Sequence, residues 1–354
     1  MERVKLTDIC NPKQWKTIPI GELLEEGYPV YGANGVIGYY SEYNHEEPVV
    51  AVTCRGATCG SVNITTAKSY VTGNAMCLDD VRDDIERDYL YYNLLHYDFN
   101  KVISGSAQPQ ITRQGLEKVE IYVCPHDEQY DVVKILRKCE KIIKLRNDEM
   151  TLIDSLIKAR FVEMFGNPSS NPYGFQKVSV QDAIDSGYIE KPLDGNHGNK
   201  HPKASEYVED GVPFIMANDI IDGKVDFDNC AKLTRDRADK LDKGFAHNGD
   251  VLITHKGTIG RTAILYTDYD YVMLTPQVTY YRPIRGLIAE YLKGYFDSDC
   301  FQNEMKLLAA AGGSTRAYVG ITNQTKMSLL IPDMERQNEY KDFVQQVDKS
   351  KYAA

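Results

Sequence analysis

The sequence HDEQYDVVKILRKCEKIIKLRNDEMTLIDSLIKARFVEMF, from His126 to Phe165, decides how the rest of this chain can be arranged. It contains neither glycine nor proline, and Gly166 and Pro168 follow it closely, as is common where a helix ends. These features predict one helix of about 39 residues and about 58 Å. A helix of that length is longer than a small domain is wide.

One face of this predicted helix carries apolar residues at alternating spacings of four and three. Such spacing is typical of a coiled-coil seam, and a seam requires a partner helix. A long amphipathic helix packed inside one large domain is the alternative that the pattern leaves open. The residues expected to bind the partner lie on this face and at the end of the helix: Leu136, Ile143, Met150, Ile153, Ile157, Arg160, Phe161, Met164 and Phe165.

The composition is that of a soluble globular protein. The chain has 354 residues, enough for two or three domains, with 42% hydrophobic and 26% charged residues. No apolar run is long enough to cross a bilayer, and the first residues lack the apolar core of a signal peptide. We therefore expect a cytoplasmic protein that does not contact membranes.

The cysteines and the charge exclude two further classes. Eight cysteines are scattered without a CxxC pair, so reduced, buried thiols are expected and a zinc site is not. A net charge of -10 argues against nonspecific coating of nucleic acid, because phosphate neutralisation needs clustered Lys and Arg. The charge does not exclude local basic patches on loops, since five basic residues lie in or beside predicted loops: Arg55, Lys68, Lys256, Arg261 and Arg316.

Strand-rich sequence lies on both sides of the long helix, and the two sides repeat one another in the same order. The repeat pairs Val52, Thr53, Arg55 and Gly56 with Ile253, Thr254, Lys256 and Gly257, then Thr58 and Gly60 with Thr258 and Gly260, and finally Ile111 and Thr112 with Ile321 and Thr322. Each half then reaches a strand, a proline and an acidic helix start that contains Gln129 or Gln337.

This duplication predicts an α+β chain built as domain, long helix, domain and shorter helix. The expected bounds are 1–125 for the first domain, 126–166 for the long helix, 167–332 for the second domain and 333–354 for the second helix. Within the domains, the spacing of apolar residues also predicts helices over Arg87–Ile103 and Ile288–Leu308.

Several motifs together resemble the specificity subunit of type I restriction-modification enzymes. In the order of that family, they are YPVYGANGVIGYY (28–40), SAQPQIT (106–112), LIKARFVEMFGNP (156–168), DGNHGNKHPK (194–203), YVEDGVPFIMANDI (207–220) and THKGTIGRTAIL (254–265). They span nearly the whole chain, and the combination is far more specific than any one of them.

The resemblance implies a non-catalytic, sequence-specific DNA-binding subunit. Its two pseudo-repeated target-recognition domains, each reading one part of a split target, would be held apart by two long antiparallel coiled-coil helices. It would direct two adenine methyltransferase subunits that use S-adenosylmethionine, and an ATP- and Mg-dependent restriction and translocase subunit, and would hold no cofactor itself. The second helix departs from the family pattern, because it is roughly half as long as the first.

Polar and basic residues beside small residues on loops are suited to reading base edges and phosphates. In the first domain the candidates for DNA binding are Asn34, Arg55, Ser106, Gln108 and Gln110. In the second they are His197, Lys200, Asn218, Lys256, Thr315, Arg316 and Tyr318. His197 and His201 lie in a glycine-rich loop without a third ligand at metal spacing, so we expect no metal site.

Other functions remain open from the sequence alone. The chain could be a scaffold whose domains bind protein, or the specificity subunit of a methyltransferase-only or type IIG/IIB-like system. An enzyme with diverged methyltransferase or nuclease motifs is a further alternative, although no glycine-rich cofactor loop accompanies Asn171, Pro172 and Tyr173, the nearest approach to an amino-methyltransferase motif.

Overall fold

A computed structural model describes residues 2–105, 108–311 and 317–353, except the side chains of Tyr352 and Ala353. The chain divides into two compact units, Met1–Arg146 and Asn147–Ala354. Each unit combines sheets and helices, so the expected α+β class is confirmed. The boundary falls inside one continuous helix of 40 residues, His126–Phe165, which is the helix predicted from the sequence.

The first unit begins with a strand and ends in the long helix. Its strands are β1 (Glu2–Lys5), β2 (Asn11–Gln14), β3 (Tyr28–Gly32), β4 (Gly35–Tyr40), β5 (Val50–Thr53), β6 (Val62–Ile64), β7 (Tyr70–Val71), β8 (Ala75–Asp79) and β9 (Glu120–Val123). Its helices are α1 (Arg87–His96), α2 (Arg113–Leu116) and the first part of α3 (His126–Phe165).

The strands of this unit form two larger sheets and one two-stranded antiparallel sheet. The first sheet has the antiparallel order β2-β8-β5-β6, and the second has the order β4-β3-β7 with β3 and β7 parallel. Strand β1 pairs antiparallel with β9, just before α3. The core lies between the first sheet and α1, where Val52, Leu78, Leu90 and Leu94 are all fully buried.

The second unit has more strands. They are β10 (Gln176–Ser179), β11 (Leu193–Asp194), β12 (Tyr207–Val208), β13 (Val212–Ile215), β14 (Ile220–Ile221), β15 (Lys224–Val225), β16 (Ala231–Leu233), β17 (Phe245–Ala246), β18 (Val251–Lys256), β19 (Thr258–Ile264), β20 (Val272–Leu274), β21 (Val278–Tyr281) and β22 (Ser328–Ile331). Besides the end of α3, its helices are α4 (Val180–Asp185), α5 (Arg235–Asp239), α6 (Ala289–Asp297), α7 (Asp299–Ala311), α8 (Ile321–Gln324) and α9 (Met334–Ala353).

The two units share one strand topology. The sheet order β11-β21-β18-β19 repeats β2-β8-β5-β6, and the antiparallel pair β10-β22 repeats β1-β9 with the same register. The parallel pair β13-β20 repeats β3-β7, although the second sheet of this unit is larger, with the order β12-β16-β13-β20-β17. The internal duplication inferred from the sequence is therefore present in the fold.

One part of the predicted alignment is wrong by two residues. The amide of Ile111 donates to the carbonyl of Cys54, and the equivalent bond in the second unit joins Val319 to His255. Ile111 and Thr112 thus correspond to Val319 and Gly320, not to Ile321 and Thr322. The second I-T pair instead begins α8, so its likeness to the first pair is a coincidence of letters.

Two predicted helices are also wrong in extent. The helix expected over Arg87–Ile103 ends at His96. The helix expected over Ile288–Leu308 is two helices, because Ser298 is extended (φ -64°, ψ 143°) and its hydroxyl donates to the carbonyl of Tyr295. Of the basic residues expected in or beside loops, Lys256 is the last residue of strand β18 and Arg261 lies inside strand β19.

Within the second unit, α9 packs against the last turns of α3. Phe161 and Phe165 are buried against Tyr340 of α9, with ring centroids 5.6 and 5.5 Å away. The Arg160 guanidinium donates to Glu339 at 2.6 Å, and Lys351 lies 3.0 Å from Asp154.

The other residues expected to pair the helices differ in exposure. Met164 is buried in the hydrophobic core that contains Phe161, Phe165 and Tyr340, and Ile157 packs against that core. Leu136 and Ile153 are half-buried, whereas Ile143 and Met150 are exposed.

Candidate nucleic-acid interface

In the first unit, hydrogen bonds hold the β3–β4 turn against the loop after β5. The hydroxyls of Thr53 and Thr58 both donate to the carbonyl of Ala33, at 2.8 and 3.3 Å. The Thr58 hydroxyl also lies 2.6 Å from the side-chain oxygen of Asn34. These threonines therefore hold Asn34, which is exposed, next to the loop that follows β5.

The same loop is held on its other side by the segment before α2. Arg55 and Gln110 form an isolated antiparallel bridge, and Gln110 also exchanges backbone hydrogen bonds with Ser104. The side chains of Arg55, Gln108 and Gln110 are exposed. Four of the five residues predicted from the sequence for this domain thus lie on loops that contact one another.

The second unit repeats this arrangement with different side chains. Lys256 and Tyr318 form the antiparallel bridge that Arg55 and Gln110 form in the first unit, and the amide of Gly257 donates to the carbonyl of Ala317 at 2.9 Å. The Lys256 ammonium lies 5.9 Å from the centroid of the Tyr318 ring, which is 38% exposed. Each unit therefore presents a cation beside a polar or aromatic side chain at the same place.

His255 contacts the segment that carries Tyr318. Its Nδ1 lies 3.0 Å from the carbonyl of Val319, so Nδ1 carries the proton and donates, and its ring lies 5.7 Å from that of Tyr318. The ring is fully buried, and among the described residues Nε2 has no hydrogen-bond partner. Burial lowers the pKa of His255 from its usual 6.5 to about 4, so the ring is neutral at physiological pH.

Asp194 is hydrogen-bonded to His197 and lies near this buried histidine. The Asp194 carboxylate is 2% exposed, accepts from His197 Nε2 at 2.6 Å and pairs with Lys243. The same carboxylate lies 4.0 Å from His255 Nε2. Asp194 and His255 both lie within motifs quoted from the sequence, DGNHGNKHPK and THKGTIGRTAIL, but neither was predicted as a site residue.

The remaining candidates make other contacts or lie outside the described residues. Lys200 forms an ion pair with Asp242. Asn218 is exposed and lines a cleft of about 970 Å³ in the second unit, where the Arg261 guanidinium donates to the carbonyl of Ile220 at 3.2 Å. Ser106, Thr315 and Arg316 lie outside the described residues.

One group of side chains in the first unit has the chemistry of metal ligands. Donor atoms of His45, Cys77 and Asp79 lie within 4.8 Å of one another. His45 Nε2 faces Asp79 at 3.0 Å and Nδ1 faces Asn44 at 2.7 Å, so both ring nitrogens already have protein partners.

The cysteines agree in part with the expectation of reduced, buried thiols. All eight cysteines are free, as expected. Five of them are buried, but Cys59 and Cys300 are partly exposed and Cys139 is exposed, so the expectation of burial holds only in part.

Of the described helices, none is both long and apolar enough to span a membrane.

These features together define a duplicated α+β protein with a cationic and polar loop cluster in each copy. Comparison with known proteins agrees with that class. Residues 1–153 match the family described as the type I restriction modification DNA specificity domain.

Curated relatives match different shares of the chain. The type I restriction enzyme EcoprrI specificity subunit of Escherichia coli is 29% identical over 115 residues, which are 32% of this chain and only 28% of that protein. The MjaVIII specificity subunit of Methanocaldococcus jannaschii is 20% identical over 377 residues, covering 95% of this chain and 87% of that protein.

Solved structures share the fold over nearly the full length. The S subunit of a type I restriction-modification system from M. genitalium superposes with a TM-score of 0.61 at 13% identity, covering 99% of this chain and 90% of that one. A chain from a study of type I R-M complex assembly superposes with a TM-score of 0.51 at 15% identity, covering 99% and 91%. The chain is thus similar to type I restriction-modification specificity subunits, in sequence over residues 1–153 and in fold over nearly its whole length.

Proposed function

We propose that this chain reads a bipartite DNA sequence for a type I restriction-modification enzyme. The observation that carries the proposal is the repeated loop cluster: Arg55 beside Gln110 in one unit, and Lys256 beside Tyr318 in the other. Arginine and lysine recognise guanine and phosphate, glutamine recognises adenine, and an aromatic ring contacts bases or sugars. Because the two clusters differ in chemistry, the two halves of the target differ in sequence.

In the proposed arrangement, target-recognition domains over 1–125 and 167–332 are separated by a spacer of two antiparallel helices, over 126–166 and 333–354. The unbroken length of α3 supports this spacer, and so do the contacts of Phe161, Phe165 and Arg160 with α9. A helix of fixed length keeps two readers at a fixed distance, so the gap between half-sites is part of the recognised sequence.

Catalysis in this proposal belongs to the partners. Two methyltransferase subunits would carry S-adenosylmethionine and methylate adenine, and restriction subunits would carry ATP and Mg²⁺. The match to specificity subunits supports this division, since the chain would contribute recognition to a cytoplasmic complex and no cofactor of its own.

The proposal is tested by mapping modified adenines. The chain is co-expressed with its methyltransferase subunit in cells that lack other adenine methylation, and the methylated motif is determined genome-wide. We expect two short sequences separated by a fixed gap of unspecified bases. A single ungapped motif would contradict the proposal, and so would methylation by the purified chain alone.

A further inference from the structure

Two buried glutamines occupy equivalent positions at the starts of the two long helices. Gln129 is the fourth residue of α3 and Gln337 is the fourth residue of α9, and both are fully buried. A buried amide is costly unless both of its ends are hydrogen-bonded, so its partners define its position closely.

Gln129 joins three segments of the first unit. Its side-chain nitrogen donates to the carbonyls of Asp84 and Cys124, each at 2.9 Å. Its side-chain oxygen accepts from the amide of Glu86 at 2.8 Å. Since Glu86 caps α1 and Cys124 directly follows β9, one side chain ties the start of α3 to a helix and a strand of the domain.

Gln337 makes the same three bonds in the second unit. Its nitrogen donates to the carbonyls of Gly286 and Pro332, each at 2.9 Å, and its oxygen accepts from the amide of Ile288 at 3.1 Å. Ile288 precedes α6 as Glu86 precedes α1, and Pro332 follows β22 as Cys124 follows β9.

A second equivalent bond strengthens each junction. The Tyr89 hydroxyl of α1 donates to the carbonyl of Tyr122 in β9 at 2.8 Å, and the Tyr291 hydroxyl of α6 donates to the carbonyl of Leu330 in β22 at 2.9 Å. The junctions therefore keep the same hydrogen bonds although the reading loops of the two units carry different side chains. Fully satisfied buried polar groups favour one geometry over its neighbours.

We propose that Gln129 and Gln337 are positioning residues that fix the angle of each recognition domain on its spacer helix, and thereby the gap length that the protein accepts. This inference rests on the proposed function. Replacement of either glutamine leaves the reading loops intact but frees two carbonyls and an amide at the junction. The affected domain can then tilt, and targets with a shorter or longer gap become acceptable.

The test uses the complex with the methyltransferase subunit and the half-sites that the wild-type complex selects. The DNA substrates carry these half-sites with the native gap, or with a gap one base pair shorter or longer. The variants are Gln129→Met and Gln337→Met, with the milder Gln129→Asn and Gln337→Asn where a methionine variant does not fold. The matched control is Gln346→Met, at an exposed glutamine of α9.

We expect each junction variant to lower the preference for the native gap by about fivefold while the preferred half-sites stay the same. The control should keep the wild-type gap preference. A purely structural role would reduce the yield of complex without changing relative methylation across gaps, and that result in the folded variants would overturn the inference. Absence of any gapped motif for the wild-type complex would instead overturn the proposed function.

Discussion

His255 shows how one residue holds part of the candidate interface in place. Its ring donates to the Val319 carbonyl, and its own backbone carbonyl accepts from the Val319 amide at 2.9 Å. Two hydrogen bonds therefore join His255 to the residue that follows Tyr318. In the first unit the equivalent residue is Cys54, which provides the backbone bond, while its sulfur accepts from Gln14 instead. The second unit therefore has an imidazole, with an ordinary pKa of 6.5, at the position where the first unit has a thiol, whose pKa is raised by burial.

This difference predicts a pH dependence of stability. The pKa of His255 is lowered to about 4 in the folded protein, against 6.5 for an exposed histidine, so the unfolded chain binds the proton more tightly. The stabilisation is complete above the unfolded pKa and is lost as the pH falls towards the folded pKa. We expect the stability advantage of the wild type over His255→Gln to shrink by about 2 kcal/mol between pH 7 and pH 5.

Urea unfolding of the second unit, followed for both proteins at the two pH values, measures this difference. Gln can still donate to the Val319 carbonyl, so the variant should fold. A stability difference that does not change with pH would show that His255 is not held in its neutral form.

Individual contacts at the interface were only partly predictable from the sequence. Loop position and residue type were enough to select Arg55, Gln110, Lys256 and Tyr318, because glycine-rich turns and basic residues are local signals. Asp194 and His255 were not predicted, because the ion pair of Asp194 with Lys243 and the bond of His255 to Val319 join segments that are distant in the chain.

Among the helices, the extent of the long helix α3 was predicted best from the sequence, and the ends of the shorter helices were predicted less well. The absence of glycine and proline and the stop at Gly166 are local, and they gave the end of α3 correctly. The break at Ser298 carries no such mark, because it is made by a serine whose hydroxyl bonds the preceding turn. Helix ends that depend on such contacts cannot be found from apolar spacing alone.

The contact between α3 and α9 makes a prediction about stability. Phe161 is 2% exposed and packs against Phe165, Tyr291 and Tyr340. Phe161→Ala should destabilise the second unit by about 3 to 5 kcal/mol, because it leaves a cavity among aromatic rings. Its neighbour Val162 is 52% exposed, so Val162→Ala should change stability by less than about 0.5 kcal/mol.

Hydrogen–deuterium exchange of the amides in residues 147–353 measures both changes. Faster exchange throughout the unit in Phe161→Ala, with little change in Val162→Ala, is the expected result. Equal effects of the two substitutions would show that the aromatic cluster is not what holds α9 to α3.

The length of α3 makes a separate prediction. An insertion of four residues after Asp148 lengthens a continuous helix by about 6 Å, or about two base pairs of DNA. In the proposed arrangement the recognised gap should grow accordingly while both half-sites keep their sequences. Mapping of modified adenines measures the gap, and an unchanged gap would contradict the role of α3 as a spacer.

For the whole molecule, the repeat was visible in the sequence because duplicated motifs recur in the same order. Its register in the last part was not, because only the bonds from Ile111 to Cys54 and from Val319 to His255 define equivalent residues. The duplication nevertheless has a functional consequence that neither unit has alone. If each copy reads its own half-site, damage to one loop cluster should leave the other half of the target untouched.

The most direct test is therefore to compare the methylated motifs of Arg55→Ala and Lys256→Ala complexes with that of the wild type. Each substitution should relax one position of one half-site by about 1 to 3 kcal/mol if the side chain contacts a base. Lys306→Ala, at an exposed lysine of α7, serves as the control. The account predicts that the two variants alter different half-sites and keep the gap. It is contradicted if both alter the same half-site, or if neither changes the motif.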